Sequence, residues 1–341
     1  MAPIDRRARL LGWALRRVAS VASMTVDDLV AMQSRAAGLH FVTDRLCGAI
    51  VPGVEFEDRT IPGPAGAIAV RVYRAHEVRT SGPPLIVNFH GGGFVFGDLR
   101  TADWLCSSVV AATGAIVVSV DYRLAPAHPF PAAVEDCYAS VEWAAEHTET
   151  LGASGPIGVM GESAGGNLSA VTCLLAWDRG GPAISHQALL YPVTNMTMTG
   201  RPPFSSVAMN ADAPILSHSE MFFYRRHYLG AADPADPRVS PLLAEDHSGL
   251  PPALIQVAEH DPLRDDGIRY AVALREAGVA ARLTEYVGMP HGYLNFPGVC
   301  RAAPQALAEL CAEQQAALAP PVRDPGLTVN PRSRPGAGAA P

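Results

Sequence analysis

From residue 83 to residue 317 the chain repeats one unit: a short apolar run rich in β-branched residues, then a longer stretch with apolar residues at helical spacing. The short runs are PPLIVNFH (83–90), AIVVSVD (115–121), IGVMG (157–161), QALLYP (187–192), ALIQVA (253–258) and ARLTEYV (281–287). The helical stretches between and after them fall near 102–112, 133–147, 164–177, 265–277 and 302–317. Near-continuous apolar runs need burial on both faces, which a parallel sheet provides when helices cover each side. The predicted fold class is therefore α/β. Gly278, just past the last periodic residue of one helix, suits a C-cap, and Pro262 suits the entry to that helix. With 341 residues, 48% of them apolar, the chain can bury a large core.

Two stretches break the rhythm. Residues 1–50 read as helical, with Thr25 and Asp28 spaced as a capping box. They are followed by VEFEDRTI and AIAVRVYRA, which alternate as an antiparallel hairpin does. Residues 195–230 interrupt the repeat with methionines and aromatics. Such residues most often fill a core, but a segment outside the repeat is also material for a lid. The expected organisation is a helical cap segment over 1–50, a catalytic α/β domain over 51–194 and 231–319, a cap insertion over 195–230, and a disordered tail over 320–341, which ends in PGAGAAP.

A formal charge of −7 and scattered Lys and Arg give no footprint for a polyanion, so nucleic acid is not an expected partner. The exception to the scatter is RRARLLGWALRR near the start, where Leu11, Leu15 and Val18 share one helical face and Arg9 and Arg16 another. A packed surface helix is the first reading. An interfacial helix making transient membrane contact, with arginines flanking Trp13, is the rival. Arg16 and Arg17 interrupt any secretion-signal core, and no other run approaches the ~20 apolar residues that span a bilayer. Cys47, Cys106, Cys137, Cys173, Cys300 and Cys311 show no metal-ligand spacing and read as small core residues of a reducing, cytoplasmic compartment.

The chemistry concentrates in three places. GESAGG (161–166) follows a strand and opens a helix, the setting in which a tight turn lifts a serine, Ser163, clear of the sheet. Alone the pattern is weak, because Gly fills 31 of 341 positions. It gains weight from HGGGF (90–94) at the end of another strand, where glycines let backbone N–H groups approach a substrate oxygen. An acyl-transfer serine also needs a base and an acid to hold that base, each at the end of a later strand. Asp261 follows ALIQVA and His291 follows ARLTEYV. Asp265 and Asp266 read instead as first-turn carboxylates of the next helix, where they suit the macrodipole. His260 adjoins the acid too closely to meet it. His128, His186 and His218 have no comparable setting and read as surface or satisfied core residues. In this scheme His291 takes the proton of Ser163, Asp261 orients His291, and the N–H groups of Gly91, Gly92 and Ala164 hold the oxyanion. No metal or organic cofactor is called for.

The ordered set HGGGF, DYRLAPAHPFPAAVED, GESAGGNLSA, SPLLAEDHSGLPPALIQVAEHDPLRDDG and HGY, spread over residues 83–296, resembles the hormone-sensitive-lipase-like group of α/β-hydrolases, the bacterial family IV esterases. The resemblance implies an eight-stranded, mostly parallel sheet, a helical cap, and carboxylesterase activity on small-molecule esters of short to medium acyl chains. It places the nucleophile on Ser163, the acid on Asp261, the base on His291 and the oxyanion donors on Gly91, Gly92 and Ala164. Three positions depart from the usual pattern: Ala127 where Glu follows Ala-Pro, Asp266 for Glu, and Tyr293 for Phe. An amidase or peptidase and an interfacial lipase would use the same residues. A non-catalytic receptor on this fold, as the plant gibberellin receptors are, lacks the histidine that this chain has.

Overall fold

The computed structural model describes residues 1–18, 21–35, 45–77, 82–197 and 204–319, so the expected tail lies outside the described residues. Eight strands form one sheet: β1 Val54–Gly63, β2 Gly66–Ala75, β3 Leu85–Phe89, β4 Ile116–Asp121, β5 Ile157–Glu162, β6 Ile184–Leu190, β7 Ala253–His260 and β8 Ala281–Pro290. Their order is β1-β2-β4-β3-β5-β6-β7-β8. β1 and β2 form the expected antiparallel hairpin, with Val54 opposite Ala75, and β2 meets β4 antiparallel. From β4 to β8 every pairing is parallel.

Alternation along each strand divides the core in two. In β3, Leu85, Val87 and Phe89 face one cluster while Ile86 faces the other; in β4, Ile116, Val118 and Val120 face the first and Val117 the second. Helices α4 (Ala132–Glu146), α5 (Ala164–Arg179) and α8 (Arg264–Glu276) cover the first face through residues such as Val141, Leu168 and Tyr270. Helices α3 (Asp103–Thr113) and α9 (Ala303–Ala317) cover the second through Val109 and Leu310. Each fully buried Val, Leu or Ile contributes roughly 1.5–3 kcal/mol, so both layers hold the sheet firmly.

β6 ends earlier than the periodicity predicts, at Leu190. Tyr191 takes φ 40°, which turns the chain out of the strand, and Pro192 has no N–H for the ladder. His186 is a core residue, but not the satisfied one expected: its Nδ1 is buried without a partner among the described residues, and burial pushes its pKa down to about 4. The DYRLAPAHPFPAAVED stretch has a structural role: Arg123 makes a paired contact to the buried Asp136, at 2.8 Å to each carboxylate oxygen. That contact pins the loop after β4 to α4.

The segments outside the repeat pack together above the sheet. Helix α1 (Arg6–Val18) precedes α2 (Val26–Arg35), and the insertion supplies α6 (Ser205–Met209) and α7 (His218–Leu229). Thr25 and Asp28 form the predicted capping box, with Asp28 Oδ2 accepting from Thr25 N at 2.9 Å and Thr25 Oγ1 accepting from Asp28 N at 3.2 Å. Leu29 of α2 is buried against Val95, Ala125 and Phe223. Helix α1 departs from its expected packing: it buries Ala8 and Gly12, while Leu15 is 41% exposed. A side chain at Gly12 would overlap Pro214, so close approach to the insertion decides which face turns inward.

Candidate active site

Parallel strands deliver their C-terminal ends to one edge of the sheet, and the loops there carry the groups read from sequence. β5 runs into Ser163, whose φ of 54° and ψ of −112° are unusual for a residue with a Cβ. The turn can be this tight because a Cβ on Gly165 would overlap the carbonyl oxygens of Phe89 and His90, and one on Gly161 would overlap that of Gly165. Ser163 N donates to Leu190 O at 2.8 Å, and Ser163 O accepts from Asn167 N at 3.0 Å. The backbone is thereby held in a conformation costing on the order of 1–3 kcal/mol.

His291, in the loop after β8, places Nε2 2.9 Å from Ser163 Oγ and Nδ1 2.7 Å from Asp261 Oδ2. Asp261, in the loop after β7, is fully buried, and its other oxygen accepts from Leu263 N at 2.8 Å. This bond fixes the carboxylate so that it meets Nδ1 of the imidazole and leaves Nε2 to face the hydroxyl. Gly91 and Gly92 follow β3, and Gly92 takes φ 121°, closed by Phe96 N donating to Gly92 O at 2.8 Å. Ala164 opens α5, where its N–H has no intrahelical acceptor. Gly91, Gly92, Ser163, Ala164 and His291 all line one cavity of about 210 Å³. All six residues singled out from sequence therefore converge, Asp261 from behind the imidazole.

The rivals lie elsewhere. His260 Nε2 bonds to Ala2 O at 2.8 Å. Asp266 lies in the first turn of α8, as expected, and has a further role there. It is buried, its Oδ1 accepts from Thr194 N and Asn195 N at 2.9 Å each, and burial pushes its pKa up to about 8. It ties the start of the insertion to α8. Tyr293 is fully buried beside Tyr191, edge to face, with ring centroids 5.4 Å apart.

Sequence reasoning missed the second layer. Glu162, inside the GESAGG motif, is buried and accepts from Tyr191 Oη at 2.6 Å; the amide nitrogen of Asn295, turned toward it, donates at 2.8 and 2.9 Å. Burial pushes its pKa up to about 7, against the opposing pull of Tyr191, His291 and Asn295. Tyr191 also packs edge-on against His291, with centroids 5.0 Å apart. The available signal was positional: Glu162 precedes the nucleophile, and Tyr191 directly follows a strand at the same sheet edge.

The far wall of the cavity comes largely from the insertion, through Ile215, Leu216, Met221, Tyr224 and Arg225. An apolar chamber above a serine–imidazole–carboxylate array with free backbone donors suits attack on a carbonyl carbon attached to a small organic group.

Comparison with known proteins bears on the fold and on the class of reaction. A family model described as the alpha/beta hydrolase fold matches residues 86–295. The carboxylic ester hydrolase LipN of Mycobacterium tuberculosis is 45% identical over 288 residues, covering 82% of this chain and 74% of LipN. The esterase LipI of the same organism is 45% identical over 259 residues, covering 75% of this chain and 80% of LipI. Among solved structures, a hyperthermophilic esterase from the archaeon Pyrobaculum calidifontis superimposes with a TM-score of 0.84 at 37% identity, over 92% of this chain and 99% of the other.

Proposed function

The chain belongs to the α/β-hydrolase family, in its hormone-sensitive-lipase-like branch, and is a serine carboxylesterase; from that premise we propose that Ser163, His291 and Asp261 carry the reaction and that Gly91, Gly92 and Ala164 hold the oxyanion. The observation that supports the assignment is the continuous contact from Asp261 Oδ2 through His291 to Ser163 Oγ, at 2.7 and 2.9 Å.

In this mechanism His291 Nε2 accepts the Ser163 proton as Oγ attacks the ester carbonyl carbon. The carbonyl oxygen, now negative, takes hydrogen bonds from Gly91, Gly92 and Ala164 N–H, with the amino end of α5 adding a favourable field. Asp261 stabilises the imidazolium without taking its proton. His291 then protonates the departing alkoxide, and the alcohol leaves an acyl-enzyme. Water enters, gives a proton to His291 and attacks the acyl carbon; Ser163 recovers the proton as the acid is released.

The division into a catalytic domain (51–194 and 231–319) and a cap (1–50 and 195–230) is part of the same reading. It is supported by the contact of Leu29 with Phe223 and by the insertion residues over the cavity. The cavity supports substrates of short to medium acyl chain. Hydrolysis of a p-nitrophenyl ester series, together with mass-spectrometric location of a phosphonate adduct, tests the reading. The adduct belongs on Ser163, and labelling of any other residue rejects the assignment.

A second, separate reading concerns α1. Leu10 and Trp13 are 65% and 56% exposed beside the exposed Arg6, Arg7 and Arg9, and the Arg17 guanidinium sits 3.9 Å over the Trp13 ring. This supports peripheral contact of a cytoplasmic enzyme with an anionic bilayer. Among the described residues no helix is long and apolar enough to cross a membrane. Co-sedimentation with phosphatidylglycerol vesicles tests it; equal recovery of wild type and Trp13→Ala in the supernatant rejects it.

A further inference from the structure

The cavity wall is largely apolar; besides Ser163, His291, Tyr191, Tyr224 and Asn295, its polar side chains are Arg225 and Asn195 of the insertion, which bring donors unused among the described residues. Arg225 of α7 lines the cavity and is partly buried. Its Nε donates to Met196 O at 2.7 Å, which fixes the plane of the guanidinium. Its two terminal nitrogens have no hydrogen-bond partner among the described residues, and no carboxylate there lies within ion-pairing distance of it. Other buried or half-buried arginines in the molecule are matched: Arg71 by Asp58 and Asp103, Arg123 by Asp136, Arg264 by Asp265. The segment 198–203, which follows close on Met196 in sequence, reads MTGRPP and contains no carboxylate.

Asn195 lines the same cavity. Its Oδ1 is taken by Thr197 N at 2.9 Å and Thr197 Oγ1 at 2.7 Å. Its backbone N–H is taken by Asp266. The side-chain NH2 is left without a partner among the described residues. Both groups are donors, so the gap between them and a bound molecule can be filled only by an acceptor.

An apolar acyl or alkyl group pushed against this wall would strip water from the terminal guanidinium nitrogens and give nothing back. A carboxylate would instead pair with the guanidinium, whose planar fork is suited to that geometry. We propose that Arg225 and Asn195 form a subsite for a carboxylate carried by the substrate, so that the preferred esters are small monoanions, half-esters of dicarboxylic acids or acyl esters of hydroxy acids, rather than purely apolar esters. The proposal rests on the esterase reading of the site and names the substrate class within it.

The test uses pairs matched in size. Monoethyl succinate against ethyl valerate places the charge on the acyl side; acetoxyacetate against propyl acetate places it on the alcohol side. In the wild type, kcat/KM for the charged member of at least one pair exceeds that of its neutral partner, and the ratio falls as salt rises from 10 mM to 500 mM. Arg225→Met lowers that ratio at least tenfold, chiefly through KM, whereas Arg225→Lys, which keeps the charge without the fork, lowers it less. Because Arg225 also anchors to Met196, the wild-type ratio and the Lys variant decide the matter even if the Met variant is poorly folded. Neutral esters preferred in both wild-type pairs, or a ratio unmoved between Lys and Met, overturns the proposal. Loss of all ester hydrolysis in the wild type would instead overturn the esterase reading itself, so the two failures are distinct.

Discussion

His291 Nε2 stands 2.9 Å from Ser163 Oγ although 128 residues separate them in the chain. The contact exists because β5 and β8 end at the same edge of one sheet. Removing the hydroxyl therefore removes the reaction: Ser163→Ala loses roughly five to six decades of turnover on p-nitrophenyl butyrate with its circular dichroism unchanged. Asp261→Asn, which leaves the imidazole in the wrong tautomer, loses about four. A Ser163→Ala variant with wild-type turnover would remove the nucleophile from the scheme.

The backbone at Ser163 adds an independent check. At φ 54° and ψ −112° a Cβ is strained and glycine is not. Ser163→Gly, equally inactive, melts at or above the temperature of Ser163→Ala, even though glycine raises the entropy of the unfolded chain. A lower melting temperature for the glycine variant shows that the turn stores no strain.

Packing at the same turn makes Gly165 intolerant. An added methyl would overlap the carbonyl oxygens of Phe89 and His90, which are backbone and cannot rotate aside. Gly165→Ala must push α5 off β3, a cost of about 1–3 kcal/mol or more. Moving Ala164 N–H away from the oxyanion lowers kcat as well. Differential scanning calorimetry and steady-state kinetics on one sample check both effects, and a variant matching wild type in each refutes the packing argument.

What could be read before the structure was known follows from how local the signals are. Strand runs such as IGVMG and glycine-framed motifs such as HGGGF and GESAGG are written in consecutive residues, and the order of the motifs restricts the acid and base to Asp261 and His291. The packing of α1 was not legible, because the choice of Ala8 and Gly12 over the leucine stripe depends on Pro214, some two hundred residues away. The place of Asp266 in a first turn was legible, but its burial was not, for the same kind of reason. Its position in a first turn is local, whereas its burial under Thr194 and Asn195 depends on where the insertion departs. Glu162 ends β5, whereas Tyr191 and Asn295 lie in the segments after β6 and β8, and nothing in any one of these places announces the other two.

Glu162 gives the enzyme a pH-dependent stability. Burial raises its pKa from 4.5 to about 7, so between those values the folded protein holds a proton that the unfolded chain releases. The contribution is full below pH 4.5 and is lost as pH rises through 7. Glu162→Gln keeps an acceptor for Tyr191 Oη and does not titrate. Relative to wild type its melting temperature rises as pH goes from 4.5 to 7.5, and then levels off. Parallel melting curves for the two proteins across this range would mean that the buried carboxyl titrates alike in both states.

Helix α2 docks on the oxyanion loop and on the insertion through one buried leucine and one glutamine among the described residues, so it should be separable from the sheet. Leu29 is fully buried against Val95, Ala125 and Phe223, and Gln33 Nε2 donates to Val95 O at 2.7 Å and Ala125 O at 3.2 Å. Val95 lies just beyond the HGGGF glycines and Phe223 lies on α7, so α2 braces both the oxyanion loop and the insertion. Leu29→Ala removes about 2–5 kcal/mol of local packing. This cost falls on a segment outside the two sheet clusters, so it promotes local opening more than global unfolding. Limited proteolysis should then cut within the first 50 residues several times faster than in wild type, while the main thermal transition shifts by only a few degrees. KM for butyrate esters rises more than kcat falls, since α7, whose Met221 and Tyr224 line the cavity, loses its brace at Phe223. Unchanged cleavage kinetics, with the whole loss appearing in the main transition, would show that α2 is an integral part of the sheet domain rather than a docked brace.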